Sequence, residues 1–154
     1  MRAAVLTISS SLARGEGEDE SGPALVELCE RAGLQVSHET VSDDRDAISA
    51  VLRRLADEDE VRFVFTTGGT GLTVDDVTPE ATRDVIQRDV PGYAETIRAD
   101  SRRHTPLGIL TRGVSGVRGR TLIINLPGNP KAIGQSWPLI EPTLEHAAGL
   151  LERG

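Results

Sequence analysis

Gly68, Gly69 and Gly71, with Thr70 among them, form the segment best suited to chemistry. Glycines there let bare backbone amides come close to an anion, as phosphate-cradling loops do. The segment follows an apolar, β-branched and aromatic run and precedes Pro79, which opens a helix whose N-terminal dipole would add to the field. It is not a Walker loop, because no Gly-Lys-Ser/Thr follows, and its glycine spacing is not that of the dinucleotide fingerprint. A sharp structural turn is the competing reading, with Thr78 serving either as helix cap or as a ligand contact. Asp75 and Asp76 lie in the same loop, and Asp43 and Asp44 follow a second extended run. If the two loops share an edge, four carboxylates converge beside the glycines. Magnesium is commonly held by one or two carboxylates plus substrate phosphates. Taken singly, each aspartate reads equally as a cap or a solvated charge.

Pro127-Gly128-Asn129-Pro130 is a rigid loop with one permissive glycine, suited to packing against a planar ring or to turning the chain. Lys131, the only lysine, either reaches a phosphate or lies on the surface, and Arg112, Arg118 and Arg120 are further candidate anion partners. His38, His104 and His146 lack metal-ligand spacing and receive no ligand role. Cys29 falls on an apolar helix face and reads as core. No Ser-His-Asp set is visible.

Positioning these residues requires strands that end where the loops begin. Ala3 to Ser9 and Val61 to Thr67 read as strands buried on both faces, Gln35 to Val41 as a further strand, and Thr121 to Leu126 as the last. Between them the spacing predicts a helix from about Ala24 to Ala32 stopped by Gly33, and another carrying Ile48, Val51, Leu52 and Leu55 capped by Ser42 or Asp43. A short helix follows Pro79 and a weaker one spans about Tyr93 to Arg102. Residues 10–23 read as a long polar loop, Gly119 as a turn between two extended segments, and the tail as helical with breaks near Pro138 and Pro142. Alternating strands and helices imply an α/β domain with a mostly parallel sheet and helices on both faces. Ligands then belong at the carboxyl edge, where the loops after Ser9, Val41, Thr67 and Leu126 emerge.

Composition narrows the partners. The chain has 154 residues and an apolar share, glycine included, of about 48%, which suits one globular domain. A net charge of −7 and four aromatic residues in all disfavour a nucleic acid polymer or an anionic membrane. No apolar run approaches the roughly 20 residues of a membrane span, no cleavable leader is visible, and one cysteine suits a reducing compartment. The cytoplasm is the expected location.

With ESGP (Glu20 to Pro23), TTGGTG (Thr66 to Gly71), DVTPEAT (Asp76 to Thr82) and RGRTLIINLPGNPKAI (Arg118 to Ile133) in order, the sequence resembles the molybdopterin adenylyltransferase family, the MogA and MoaB proteins of molybdenum-cofactor synthesis. The resemblance spans about Ala3 to Leu151. It implies a three-layer α/β/α sandwich with a mostly parallel sheet, a single domain over residues 1–154, and a homotrimer. It further implies an enzyme that uses MgATP to adenylylate molybdopterin, releasing pyrophosphate, and a partnership with the molybdate-inserting protein of the same pathway. Asp43 and Asp76 match the catalytic, magnesium-holding aspartates. Gly68, Gly69, Thr70 and Gly71, with Pro127, Gly128 and Asn129, match the nucleotide and phosphate site, and Asp19, Ser21, Thr78 and Glu80 the pterin site. The sequence departs from the family pattern at Asp75, where Arg is usual, at Ser10, where Asp is usual, and at Ser42, where Pro is usual. Replacing a cation by an anion near phosphates is worth a few kcal/mol at an effective dielectric of about 20, unless magnesium or another arginine compensates. Two other functions fit the same fold: a non-catalytic molybdopterin-binding or scaffold protein, and a nucleotide pyrophosphatase.

Overall fold

A computed structural model describes residues Met1–Gly154. Six strands form one sheet: β1 (Arg2–Ile8), β2 (Gln35–Val41), β3 (Phe63–Thr67), β4 (Arg88–Asp89), β5 (Ser115–Arg118) and β6 (Thr121–Leu126), in the order β2-β1-β3-β6-β5-β4. The first four in that order are parallel, and β5 and β4 are antiparallel additions at one edge. The helices are α1 (Ser10–Ala13), α2 (Ser21–Arg31), α3 (Arg45–Asp57), α4 (Thr78–Arg83), α5 (Pro91–His104) and α6 (Pro130–Glu152), with a 3₁₀ turn at Pro106–Leu110.

The central strands are apolar along their length because both faces are covered. Successive side chains alternate between two cores. Ala3, Val5, Phe63, Phe65, Leu122 and Ile124 pack against Leu25, Ile97, Ile133, Trp137 and Leu144 of α2, α5 and α6. Ala4, Leu6, Ile8, Val64 and Ile123 pack against Ile48, Leu52, Leu55, Ala81 and Val85 on the α3 and α4 side. The chain therefore has the three-layer α/β/α architecture expected of it.

Four local expectations need correction. The polar segment after β1 is not all loop: Ser9 caps the short α1 by accepting from the Leu12 N–H at 3.3 Å. α3 is capped by Asp44, which accepts from Ala47 N–H at 2.9 Å, and not by Ser42 or Asp43. α6 runs unbroken through Pro138 and Pro142. Both prolines sit on its exposed face, where carbonyls that lose a partner meet water, while Trp137, Ile140 and Leu144 anchor the buried face. Trp137 meets Phe65 edge-on at 5.4 Å between ring centres. Finally, the two-residue β4, too short to show periodicity, was not expected from the sequence.

Candidate functional site

Parallel pairing brings the ends of β1, β2, β3 and β6 to one edge: Ile8 lies beside Val41, Thr7 beside Thr67, and Thr67 beside Leu126. The chain leaves β1 for β2 on one side and returns to β3 on the other, so strand order reverses between β1 and β3. Such a reversal opens a crevice at the carboxyl edge. A cleft of about 370 Å³ occupies it, lined by Thr7, Ser9, Asp19, Ser21, Gly68 and Asn129 among others.

The glycine loop is held from behind through its carbonyls. Gly68 C=O accepts from the Thr78 hydroxyl at 2.9 Å and Gly69 C=O from the Thr78 N–H at 3.1 Å. Thr70 C=O accepts from the Arg112 N–H at 2.9 Å and Gly71 C=O from Arg112 Nε at 2.8 Å. In a trans peptide the next residue's N–H points opposite to the carbonyl. Four carbonyls drawn inward thus turn the N–H groups of residues 69 to 72 outward, as an anion-binding nest requires. Gly68 and Gly69 have φ of +95° and +72°, and a Cβ at Gly68 would stand 2.5 Å from the Ile8 carbonyl oxygen, so only glycine fits.

This arrangement revises several expected roles. Thr78 is wholly buried and caps nothing: the cap position of α4 is Val77, and the Thr78 hydroxyl holds the loop's shape from within. The start of α4 packs on the Gly69 carbonyl, so its dipole does not open onto the cleft. Glu80 is bidentate with Arg112, at 2.8 and 3.1 Å, and Arg112 Nη2 also donates to Asp76 C=O at 2.7 Å. The Arg112 guanidinium keeps the Glu80 carboxyl below its usual range. Glu80 and Arg112 therefore brace the loop, since their charges satisfy each other. Arg118 is bidentate with Asp57 at 3.0 and 2.8 Å, and both Arg118 and Arg120 lie at the opposite end of the sheet. Neither borders the cleft.

The four-carboxylate cluster does not form, and no group of three or more His, Cys, Asp or Glu side chains is placed to hold a metal ion. Asp44 is spent as a helix cap and Asp75 is exposed. Asp43 and Asp76 are each half-buried in their loops. Asp43 Oδ2 accepts from the Ser10 N–H at 2.9 Å while its own N–H donates to Ser10 Oγ at 2.9 Å, a reciprocal clasp between the loops after β1 and β2. Asp76 Oδ2 accepts from the Thr73 N–H at 3.0 Å and the Thr73 hydroxyl at 2.8 Å. In both carboxylates the loop bonds fall on Oδ2, and Oδ1 remains to serve a cation. Such a donor set fits magnesium, which retains waters and takes its remaining oxygens from substrate phosphates.

Asn129 caps α6, its Oδ1 accepting from the Ala132 N–H at 2.8 Å, which leaves its Nδ2 without a protein partner. A Cβ on Gly128 would approach Gly68 Cα to 3.3 Å, which is how closely the two loops abut. Beyond Pro127 and Asn129 a second hollow of about 400 Å³ is bordered by Thr111, Lys131 and Gln135.

One assembly in the cleft wall is not legible in the sequence, although Asp19 is among the pterin-site residues that the resemblance implies. The Thr7 hydroxyl donates to Asp19 Oδ2 at 2.8 Å and lies 2.8 Å from His38 Nε2. Having one proton, Thr7 gives it to the carboxylate and accepts from His38, so Nε2 carries hydrogen. Asp19 Oδ1 takes the Gly22 N–H at 2.9 Å. A Cβ on Gly22 would stand 2.3 to 2.5 Å from Asp19, His38 and Thr7, so α2 can settle on this cluster only through a glycine. Residues 7, 19, 22 and 38 share no spacing, and only the parallel pairing of β1 with β2 joins them. Asn125 was missed as well. It is buried and satisfied by Val114 N–H, Thr66 and Thr82, and its one sequence signal is an amide inside an apolar strand.

The profile of a family described as "Probable molybdopterin binding domain" matches residues 4–146. A molybdopterin adenylyltransferase of Helicobacter pylori is 39% identical over 150 residues, covering 96% of this chain and 85% of that protein. The crystal structure of the molybdopterin biosynthesis enzyme MoaB of Thermus thermophilus superposes with a TM-score of 0.91 at 44% identity, covering 99% of this chain and 97% of the other. A MogA structure superposes with a TM-score of 0.92 at 35% identity, covering 98% and 99%.

Proposed function

Because the chain belongs to the family of probable molybdopterin binding domains, we propose that it acts in molybdenum cofactor biosynthesis as a molybdopterin adenylyltransferase, with molybdopterin and ATP as substrates. The observation that carries the reading is the outward row of N–H groups at residues 69 to 72, set at the switch point of the sheet. In this reaction a phosphate oxygen of molybdopterin attacks the α-phosphorus of ATP, the bond to the bridging oxygen of the β-phosphate breaks, and pyrophosphate leaves. No covalent enzyme intermediate is needed; alignment and charge neutralisation are.

Gly68, Gly69, Thr70 and Gly71 supply preorganised donors to the phosphates. Asn129 Nδ2 and the Pro127-Gly128 backbone border the nucleotide, and Asp19 and Ser21 present polar groups to the pterin. Thr78, Glu80 and Arg112 hold the loop rigid behind them. Asp43 and Asp76 hold Mg²⁺, which supplies countercharge to the phosphates when bound. The exposed Asp75 adds a negative charge to the loop, which a Mg²⁺ ion held at Asp76 would offset.

One continuous sheet built from both ends of the sequence supports a single domain over residues 1–154. Leu72, Val74, Leu107 and Ile109 are each more than 60% exposed on two segments joined by the Arg112–Thr70 bond, which supports self-association as a homotrimer. No helix is long and apolar enough to cross a membrane. The reading is completed by a cytoplasmic location and by transfer of the product to a molybdate-inserting protein.

The test is pyrophosphate release from MgATP, with and without molybdopterin, by wild type, Asp76→Asn and Asp43→Asn. Release that requires molybdopterin and falls by at least about a hundredfold in both variants is expected, as for loss of an electrostatic element of a transfer site. Both should stay folded, because an asparagine Oδ1 still accepts the Ser10 or Thr73 bond. Tight molybdopterin binding without release by wild type would make the protein a binder. Hydrolysis of a dinucleotide without molybdopterin would make it a pyrophosphatase.

A further inference from the structure

The amino edge of the sheet carries a pattern unrelated to the carboxyl-edge cleft. Three adjacent parallel strands are each preceded or opened by an arginine: Arg2 in MRAAV, Arg62 in VRFVF and Arg120 in GRTLI. The register sets Ala3 beside Phe63 and Phe63 beside Leu122, so Arg2, Arg62 and the Arg120-Thr121 step lie in one row across the sheet. Neighbouring strands are about 4.8 Å apart. Arg2, Arg62 and Arg120 border one hollow of about 700 Å³, with Glu60 and Glu152 as the acidic side chains on its wall. This concentration of cations occurs in a chain of net charge −7.

The guanidiniums are poorly satisfied by the protein. Arg62 Nη1 is buried with no hydrogen-bond partner, and Arg62 Nη2 reaches Glu152 only at 3.9 Å, on a carboxylate that is itself 65% exposed. Arg120 Nη2 has one contact, a long one of 3.5 Å to an oxygen of Gly154, the last residue of the sequence. Arg2 donates to the Asp59 carbonyl, which carries no countercharge. Elsewhere in this protein Arg45, Arg54, Arg112 and Arg118 each hold a carboxylate at close range. Backbone strain lies at the same place. Glu60, at φ +50°, is the one non-glycine residue in the left-handed region, and it turns the chain so that Arg62 enters β3 over the hollow.

We propose that this hollow is an oxyanion site that takes a tetrahedral, phosphate-type dianion, free or as the phosphoryl group of a larger metabolite. Planar guanidiniums bind such oxyanions through paired N–H donors, and a dianion supplies the countercharge that Glu152 gives loosely. Its position at the opposite edge makes the site independent of the glycine loop.

The test is a titration of the full chain with inorganic phosphate at constant ionic strength. It is followed by NMR on the Nε–H signals of Arg62 and Arg120 and on the amides of residues 60 to 62 and 119 to 121. A glucose monophosphate in a parallel series separates free phosphate from a phosphoryl group on a larger molecule. Saturable shifts are expected at these signals, weakened at least about tenfold in Arg120→Gln, an exposed position whose substitution spares the fold. They should persist unchanged in Asp76→Asn. Arg62→Gln provides a second loss variant. Shifts that never saturate, that match those from added chloride, or that survive in Arg120→Gln would overturn the proposal. So would saturable shifts confined to residues 68 to 72.

Discussion

Replacing Gly69 by alanine tests whether Thr78 and the glycine loop act as one unit. At φ +72° an alanine meets the left-handed penalty of about 1–2 kcal/mol. Its Cβ would stand 2.2 Å from Thr78 Oγ1, far inside contact distance, but only 3.3 Å from Thr78 Cβ and 3.4 Å from Ile8 Cγ2. Overpacking of that kind costs about 1–3 kcal/mol. Gly69→Ala should therefore destabilise by about 2–5 kcal/mol in all. Thr78→Ala removes the hydroxyl that satisfies the Gly68 carbonyl and should cost about 1–3 kcal/mol by itself. In the double variant the clashing oxygen is gone while the backbone penalty remains. The two changes together should then be less harmful than their sum by about 1–3 kcal/mol. Urea unfolding followed through Trp137, the only tryptophan and a buried one, measures all four corners of the cycle. Additivity within about 0.5 kcal/mol, or a nearly neutral Gly69→Ala, would refute the account of how the loop is held.

Two other perturbations follow from named groups. The Glu80 carboxyl is held below its ordinary value near 4.5 by hydrogen bonding to Arg112, so its stabilising contribution is complete above that value and disappears as the pH falls through the depressed one. The stability difference between wild type and Glu80→Gln, read from urea midpoints, should accordingly be constant near neutrality and shrink in acid; a difference that grows with acidity would contradict the sign. Burial, and secondarily the charge of Glu30, pushes the Cys29 thiol up to about 12, so the native protein should resist a thiol-specific chromogenic reagent at pH 8 and react fully once unfolded in denaturant. Rapid labelling of the native chain would show that α2 opens readily.

Much of the architecture is legible in the sequence because both-face burial leaves a local record. The apolar runs at Ala3 to Ile8, Phe63 to Thr67 and Thr121 to Leu126 declare central parallel strands, and the three-and-four spacing of Ile48, Leu52 and Leu55 declares α3. Gly33 and Gly119, both at positive φ, mark the stop and the turn expected of them. The glycine loop is also recognisable, since consecutive glycines after a buried strand have few other uses. The continuity of α6 through Pro138 and Pro142 is not legible in the sequence, because a proline's cost depends on whether the orphaned carbonyl faces water, a property of packing and not of spacing.

The division of labour among the polar residues was decided by the fold alone. Thr78 and Glu80 are neighbours in the sequence, but Arg112 lies 32 positions beyond Glu80 and nothing local joins it to them. In the folded chain the three meet behind the loop and turn its amides outward, which makes them its frame and not its ligands. The fold alone likewise brings together Thr7, Asp19, Gly22 and His38 in the cleft wall, and the arginine row at the amino edge. An acid or an arginine reads alike in one dimension whether it binds a ligand, caps a helix or neutralises a neighbour. Only the partner within about 3 Å distinguishes these roles, and strand register, set by the two hydrophobic cores, chooses that partner.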